Sequence, residues 1–500
     1  MKYGKIIAAF LAAALLLSFV LTACSGGGEE NAEVTAAVAD ATETNTEPAE
    51  TEPELAVPDL PDNDFGGKVF SVLTWSRADT KVQDDFIAEE LDGEPLNDAV
   101  YQRNSTIKER YNFEIACIEE TRANFQNTAT KGILSGDDLY AVINGGVSTA
   151  CTVLARSGYI FDLNSLNYID LENRWWDQRC NSDLSVGGRR YIGMGDICTM
   201  DNSQTWAFIF NRKLAEDFSL GDMYKLVYDG GWTLDAMYGM MQKSAADLNG
   251  DGVFDQLDRW GLMTENYNYY MQFLGAGELV AKKDNDDMPY LTLNSPRVSS
   301  VLEKVYDIYH GSAGSAFIAE NWMFLASSSV WTEYIIPMFA DDRALFYFTG
   351  IGNTFKHLRD MESEFGIIPT PKYDEAQEEY YNGISASWAT CVVIPVTCQA
   401  PDDSAFFLEA LCCESLNTVT PAYFDIIFEG KAVRDTESIA MVDLILSTRI
   451  FDIGYLNNWG GVMSLFTETV KASSFDFASR YASLESKIQA ALEEEYGAQS

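Results

Sequence analysis

The chain is poor in the residue most enzymes use to move protons: 500 residues contain two histidines, His310 and His357, each isolated in a stretch of helical pattern. An isolated helical histidine reads as a surface or capping residue rather than a general base. There is no His-Glu-x-x-His pair, no Gly-x-Ser-x-Gly turn and no phosphate loop ending in Gly-Lys-Ser/Thr, so nucleophilic hydrolysis has no visible machinery. Paired-carboxylate glycoside hydrolysis needs only two acids at the right separation, and sequence does not pair them. Positive charge is scarce too. Thirty-four Lys and Arg face 76 Asp and Glu, a formal net charge of −42. No basic cluster exists to displace counterions, which excludes nucleic acid and an anionic membrane surface as partners held by a basic patch. After residue 23 the longest apolar run is 389–396, far short of the ~20 residues that span a bilayer.

What is present begins at the start of the chain. Lys2 and Lys5 form a positive segment, residues 6–20 an apolar one, and Leu21-Thr22-Ala23-Cys24 a small-residue cleavage box ending in a thiol. The apolar run is too short to span a membrane, so residues 1–23 read as a lipoprotein signal peptide and the mature chain begins at a lipidated Cys24. This places the protein on the extracellular face of the cell membrane, attached through the lipid anchor only. Loss of Lys2 and Lys5 moves the net charge from −42 to −44. Residues 25–63 carry eleven acids and no base, so 24–63 reads as a disordered acidic tether, with order expected from Phe65. The remaining length suits two or three lobes.

Eight further cysteines, Cys117, Cys151, Cys180, Cys198, Cys391, Cys398, Cys412 and Cys413, permit four disulfides in 105 connectivities. Several lie inside apolar runs and none has paired metal spacing, which favours buried free thiols.

Alternating patterns predict strands at 69–73, 113–117 and 139–143, separated by helices over 97–111 and 124–134. Further strands are expected at 206–210, 344–348, 366–368 and 391–394, with two strand-like pieces within 275–293. Helices are expected over 234–246, 297–309, 438–450 and 484–495. Strands alternating with helices argue an α/β fold with parallel sheets.

Residues 247–258 place Asp247, Asn249, Asp251, Asp255 and Asp258 at positions 1, 3, 5, 9 and 12 of a calcium-type loop, with Gly252 at 6 and the Val253 carbonyl at 7. A hard cation needs six to eight oxygens from a sharply turning chain, and this spacing supplies them, so a structural Ca2+ is expected. Position 12 is Asp where such loops usually carry Glu.

Aromatic residues are generous, with ten Trp and 25 Tyr, and Trp75, Trp206, Trp388 and Trp459 fall where strands were expected to begin or end. Open α/β sheets bind ligands at the carboxyl ends of their strands, and sugar rings stack on aromatic faces, so these residues point to a cleft.

Several short pieces occur in a fixed order: Leu91-Asp92-Gly93-Glu94-Pro95-Leu96-Asn97, Leu134-Ser135-Gly136-Asp137-Asp138-Leu139-Tyr140, Gly158-Tyr159-Ile160-Phe161-Asp162-Leu163, Phe210-Asn211-Arg212-Lys213-Leu214, Gly231-Trp232-Thr233-Leu234 and Phe365-Gly366-Ile367-Ile368-Pro369-Thr370-Pro371. With them, the chain from Phe65 onward resembles the extracellular solute-binding proteins of bacterial ABC importers, especially the carbohydrate-type lipoproteins of Gram-positive bacteria. The resemblance implies a two-lobed periplasmic-binding-protein-like fold of type II, similar to maltose-binding protein, with hinge strands joining lobes that close on ligand. It implies crossings at 205–212 and 386–396, one lobe of 65–204 plus 396–435, and another of 205–395 plus 436–500. The implied ligand residues are Trp75, Asn144, Asp201, Glu265, Asn266, Tyr267, Thr349, Trp388 and Trp459, Trp for stacking and the rest for hydroxyl hydrogen bonds. The implied function is non-catalytic: a monomer captures a solute, an oligosaccharide by this likeness, for ABC permease subunits. A surface glycoside hydrolase and a peptide receptor of the same fold remain the alternatives.

Overall fold

After the turn at Gly66 and Gly67, the run Val69-Phe70-Ser71-Val72-Leu73 forms the centre of β1 (Lys68–Trp75). The structure is a computed structural model that describes residues 55–80, 85–429 and 436–496. Cys24 and most of the predicted tether lie outside the described residues. β1 pairs in parallel with β2 (Phe113–Glu120) along its whole length and with β3 (Val142–Gly146), and β9 (Thr390–Val393) adds antiparallel to β3. The first sheet thus has the order β9-β3-β1-β2.

Two helices near the start of this sheet, α1 (Pro95–Tyr111) and α2 (Arg122–Leu134), follow the predicted alternation. One from late in the chain, α6 (Pro401–Asn417), returns to the same sheet. Phe407 of α6 stacks flat on Phe70 at 4.6 Å, and Phe406 meets Phe65 and Tyr111 edge-on. Arg103 of α1 is fully buried and donates to Ser415 Oγ and to the Asp85 carbonyl, so α1 and α6 are joined by satisfied polar contacts as well as apolar burial. The backbone of Ala56 exchanges two hydrogen bonds with the Asn417 side chain at the end of α6. Order therefore starts at least nine residues before the expected Phe65, because an amide side chain replaces the sheet partner that segment lacks.

The second sheet has the order β8-β4-β7-β5-β6, built from β4 (Trp206–Asn211), β5 (Trp260–Thr264), β6 (Ala316–Ile318), β7 (Ala344–Gly350) and β8 (Phe365–Ile368). β5 is parallel to β6 and β7, while β4 is antiparallel to both its neighbours. All of β4, β5, β7 and β8 is buried. Burial on both faces explains why they are rich in apolar residues rather than alternating with polar ones. Phe208 stacks on Phe348 at 4.3 Å and meets Trp232 edge-on. Around this sheet lie α3 (Leu234–Ser244), α4 (Asn268–Gly275), α5 (Pro296–His310), α8 (Thr436–Ser447), α9 (Val462–Lys471) and α10 (Phe477–Tyr496). A further helix, α7 (Val419–Glu429), packs on α1 beside the first sheet.

The chain passes between the sheets just before β4 and just before β9. These passages meet at an antiparallel bridge between Thr205 and Ile384, reinforced by Ser385 N–H donating to the Gln204 carbonyl. β4 lies wholly in the second sheet and β9 wholly in the first, so the passages are shorter than the expected crossings at 205–212 and 386–396. Among the described residues no helix is long and apolar enough to cross a membrane. The eight cysteines are free thiols, seven of them buried.

Candidate functional site

Where the two passages meet, strand ends and loops line a cavity of about 660 Å³. That size is typical of small-ligand clefts. The second sheet supplies most of the wall. Glu265 and Tyr267 follow the carboxyl end of β5, and Tyr347 and Thr349 sit near that of β7. Trp206 opens β4, and the short helix Gly352–His357 brings Asn353, Lys356 and His357. Trp331 opens the helical turn Trp331–Ile335, where the Glu333 carboxylate accepts from the N–H groups of Ser327, Ser328 and Ser329 and from the Ser328 hydroxyl and is held down to about 2 by those bonds. From the other side come Arg122 at the start of α2, and Trp388 from the second passage.

Five aromatic rings, Trp206, Tyr267, Trp331, Tyr347 and Trp388, thus line the one cavity. Trp206 is set by its indole N–H donating to Asn268 Oδ1 at 2.6 Å, and it meets Tyr267 edge-on at 5.5 Å. The Tyr267 hydroxyl accepts from Ala386 N–H at 3.1 Å and donates to the Ile384 carbonyl at 3.4 Å, joining the second lobe's wall to the passage between lobes. Burial holds its phenol far above the usual tyrosine range. The Arg122 guanidinium lies 3.5 Å over the Trp388 ring, and Trp75 backs that ring edge-on at 6.3 Å. Burial pushes Glu265 up to about 7, with Glu320 adding repulsion and a hydrogen bond with Trp331 opposing both.

The cavity brings together Glu265, Tyr267, Thr349 and Trp388 of the residues singled out in the sequence, with Trp75 immediately behind. The others lie elsewhere. Asn144 is buried inside the first sheet and donates to Thr74 Oγ1. Asp201 is buried in an ion pair with Arg449 at 3.0 Å, so its carboxylate is engaged by the protein itself. Asn266 is buried and its N–H donates to Glu320. Trp459 is 0% exposed, and its indole N–H donates to Glu495 of α10. There the ring belongs to the C-terminal helical core: at Gly460, next to it, a Cβ would stand 2.7 Å from the backbone of Ile488. Arg122, Trp331, Tyr347, Lys356 and His357 escaped sequence reasoning, although the isolation of His357 in a very acidic chain was a usable signal. His310 is bonded to the Val470 carbonyl at 2.7 Å and stacks on Tyr306, a packing role.

The 247–258 loop turns as a calcium loop must, with Gly252 at φ +79°. Its carboxylates, however, bond the loop's own backbone: Asp247 accepts from Gly250 and Gly252, Asp251 from Val253, and Asp258 from Leu248 and Asp255. Among the described residues no three His, Cys, Asp or Glu side chains are gathered as a metal site. The donor set and turn fit the ion; in this arrangement the oxygens serve as caps for backbone N–H groups.

No family model matches the chain, and no curated protein matches it in sequence. Solved structures do match. The sugar-binding protein MalE of Xanthomonas citri aligns with a TM-score of 0.57 at 14% identity, covering 86% of this chain and 98% of that one. An ABC substrate-binding protein of Listeria monocytogenes, solved with cycloalternan, aligns at 0.54 and 12%, covering 87% and 99%. The maltose/maltodextrin-binding domain MalE of Bdellovibrio bacteriovorus, bound to maltotriose, aligns at 0.52 and 11%, covering 86% and 100%. These neighbours are binding proteins. The chain therefore has the α/β, two-lobed periplasmic-binding-protein-like fold.

Proposed function

We propose that this protein is a cell-surface receptor that captures an oligosaccharide and delivers it to the permease of an ABC importer. The observation that carries the reading is the cavity between the lobes: five aromatic rings beside hydroxyl, amide and charged groups, at the strand ends where open α/β sheets take ligands. Aromatic faces stack on sugar rings, and the polar groups between them suit hydroxyls. Similarity to structures described as sugar-binding supports the same conclusion. Among the described residues the cavity wall carries one carboxylate, Glu265, whereas glycoside hydrolysis uses two flanking the scissile bond, which favours binding without chemistry.

A thermal-shift screen with oligosaccharides and peptides tests this. A saturating ligand at 100 times its Kd is expected to add about 2.7 kcal/mol of stability. Stabilisation by peptides alone would reverse the ligand class, and steady release of shortened glycan would make the protein a hydrolase.

Two further parts of the reading complete it. Cys24 carries the lipid that holds the receptor beside its transporter, supported by the cleavage box and the acidic segment after it. A Cys24→Ala chain is then expected in the medium; retention on the cell would end that claim. The 247–258 loop takes a structural Ca2+, supported by its donor spacing and the turn at Gly252. EGTA is expected to lower the melting temperature and calcium to restore it, with Asp251→Ala insensitive to both. Equal melting in EGTA and calcium would remove the ion from the account.

A further inference from the structure

The charge on the cavity wall is opposite to that of the chain. Acids outnumber Lys and Arg 76 to 34 overall, yet among the described residues the wall carries three basic residues, Arg122, Lys356 and His357, against one acid, Glu265. One of the chain's two histidines is among them. The bases come from both lobes, Arg122 from the start of α2 and Lys356 with His357 from the helix after β7.

Elsewhere bases are commonly spent on carboxylates, as in Lys68–Asp403, Arg190–Glu172 and Lys304–Asp235. Among the described residues no acid forms an ion pair with the side chain of Arg122 or Lys356. Asp79, near Arg122, accepts at 2.9 Å from that residue's backbone N–H. Lys356 and His357 are exposed side chains on the cavity wall, although the protein around them lowers both pKa values, and Lys356 lowers that of His357 further. Glu265, pushed up to about 7, does not cancel them at neutral pH.

Burial at Arg122 outweighs the attraction of Asp79, so holding this cation in the cleft without a carboxylate in ion-pair contact carries a cost. A neutral sugar would not repay that cost, because its hydroxyls are served as well by the Asn, Thr and Ser side chains also present. An anionic group on the ligand would. Arg122 is also placed for it: its guanidinium carbon lies 3.5 Å from the Trp388 ring centroid, and a guanidinium held over an aromatic ring keeps a planar fork of N–H donors for an oxyanion.

We infer that the saccharide bound in this cleft is anionic, its charge a uronate carboxylate or a sulfate ester held between Arg122 of one lobe and Lys356 of the other. This rests on the sugar-receptor reading and narrows it. Such a ligand would carry the counter-charge into the cleft and favour closure of the lobes across it.

Titration calorimetry on the whole protein tests the inference with four probes: trigalacturonate, its methyl ester, a sulfated galactose oligosaccharide without carboxylates, and maltotriose. Trigalacturonate or the sulfated sugar is expected to bind about tenfold or more tightly than the neutral probes, the scale of one charge-assisted hydrogen bond, and to weaken as salt rises. Preference between the two anions identifies the source of the charge. Lys356→Met and Arg122→Gln should each cut the ratio of anionic to neutral affinity by about tenfold, whatever either does to the affinity for both kinds of probe. Neutral probes binding as tightly as the anions would overturn the inference and leave the sugar receptor standing, as would an unchanged ratio in both variants. No binding by either anion also overturns it. Binding of peptides and no saccharide would instead sink the underlying reading.

Discussion

Arg449→Ala is expected to lower the unfolding free energy by about 3–5 kcal/mol, the usual cost of leaving a buried charge without its partner. Arg449 follows α8 and pairs with Asp177 and, at 3.0 Å, with Asp201, while also donating to Asn202 Oδ1 at 3.0 Å. The three charged side chains are 5, 7 and 1% exposed, so water does not replace what the variant removes. Arg449 lies in the short strand that pairs with Asn382–Gly383 before the second passage, whereas Asp177 and Asp201 precede the first. The network therefore clamps the region joining the lobes from behind the cleft.

The loss also has a pH dependence of known sign. Burial pushes Asp201 up to about 7 even against the pull of Arg449, so the folded state holds this proton above its ordinary value. Such a group favours folding below its unfolded pKa, and that contribution disappears as pH rises through the folded one. Without Arg449 the folded pKa rises further. Urea unfolding of wild type and variant at pH 5.5 and 8 is expected to show the larger gap at pH 8. An equal or negligible gap at both would mean that the network only repays its own desolvation.

The alternation of strands and helices was legible because β1, β2 and β9 concentrate apolar and β-branched residues between turn signals. Misreadings came from glycine. The third strand was expected at 139–143 but spans Val142–Gly146, with Leu139 exposed and the Tyr140 ring filling the space above Gly132. Gly145 and Gly146 score poorly as strand residues, yet a Cβ at Gly145 would stand 2.3 Å from the Phe125 ring and one at Gly146 would stand 3.1 Å from Trp75. β5 was missed for the same reason, since Gly261 interrupts its pattern to let Met241 of α3 approach. At the site, Trp388 was legible as an aromatic near a strand end, whereas Tyr267 entered only through the family resemblance. Arg122 and Lys356 were not, because a base at a helix end reads as solvent-facing until a second lobe is placed opposite. Trp459 shows the reverse error: local sequence does not tell a ring at a cleft from one under a helix.

Trp388→Ala is expected to weaken saccharide binding by about 2 kcal/mol, roughly thirtyfold in Kd, the scale of a central aromatic contact. The ring presents one face to the Arg122 guanidinium and is backed by Trp75, so its loss removes a stacking surface and unseats Arg122 together. Trp388 is only half-buried, and stability should change far less than affinity. Trp388→Phe, which keeps an aromatic face, should recover most of the binding. Trp459→Ala is the control: its fully buried indole bonds Glu495, so about 3–5 kcal/mol of stability should be lost, while the variant that remains folded keeps wild-type affinity. Calorimetry paired with denaturation separates the two roles. Wild-type affinity in Trp388→Ala would remove this cavity as the sugar site, whereas a ligand-specific loss in Trp459→Ala would return the C-terminal tryptophan to it.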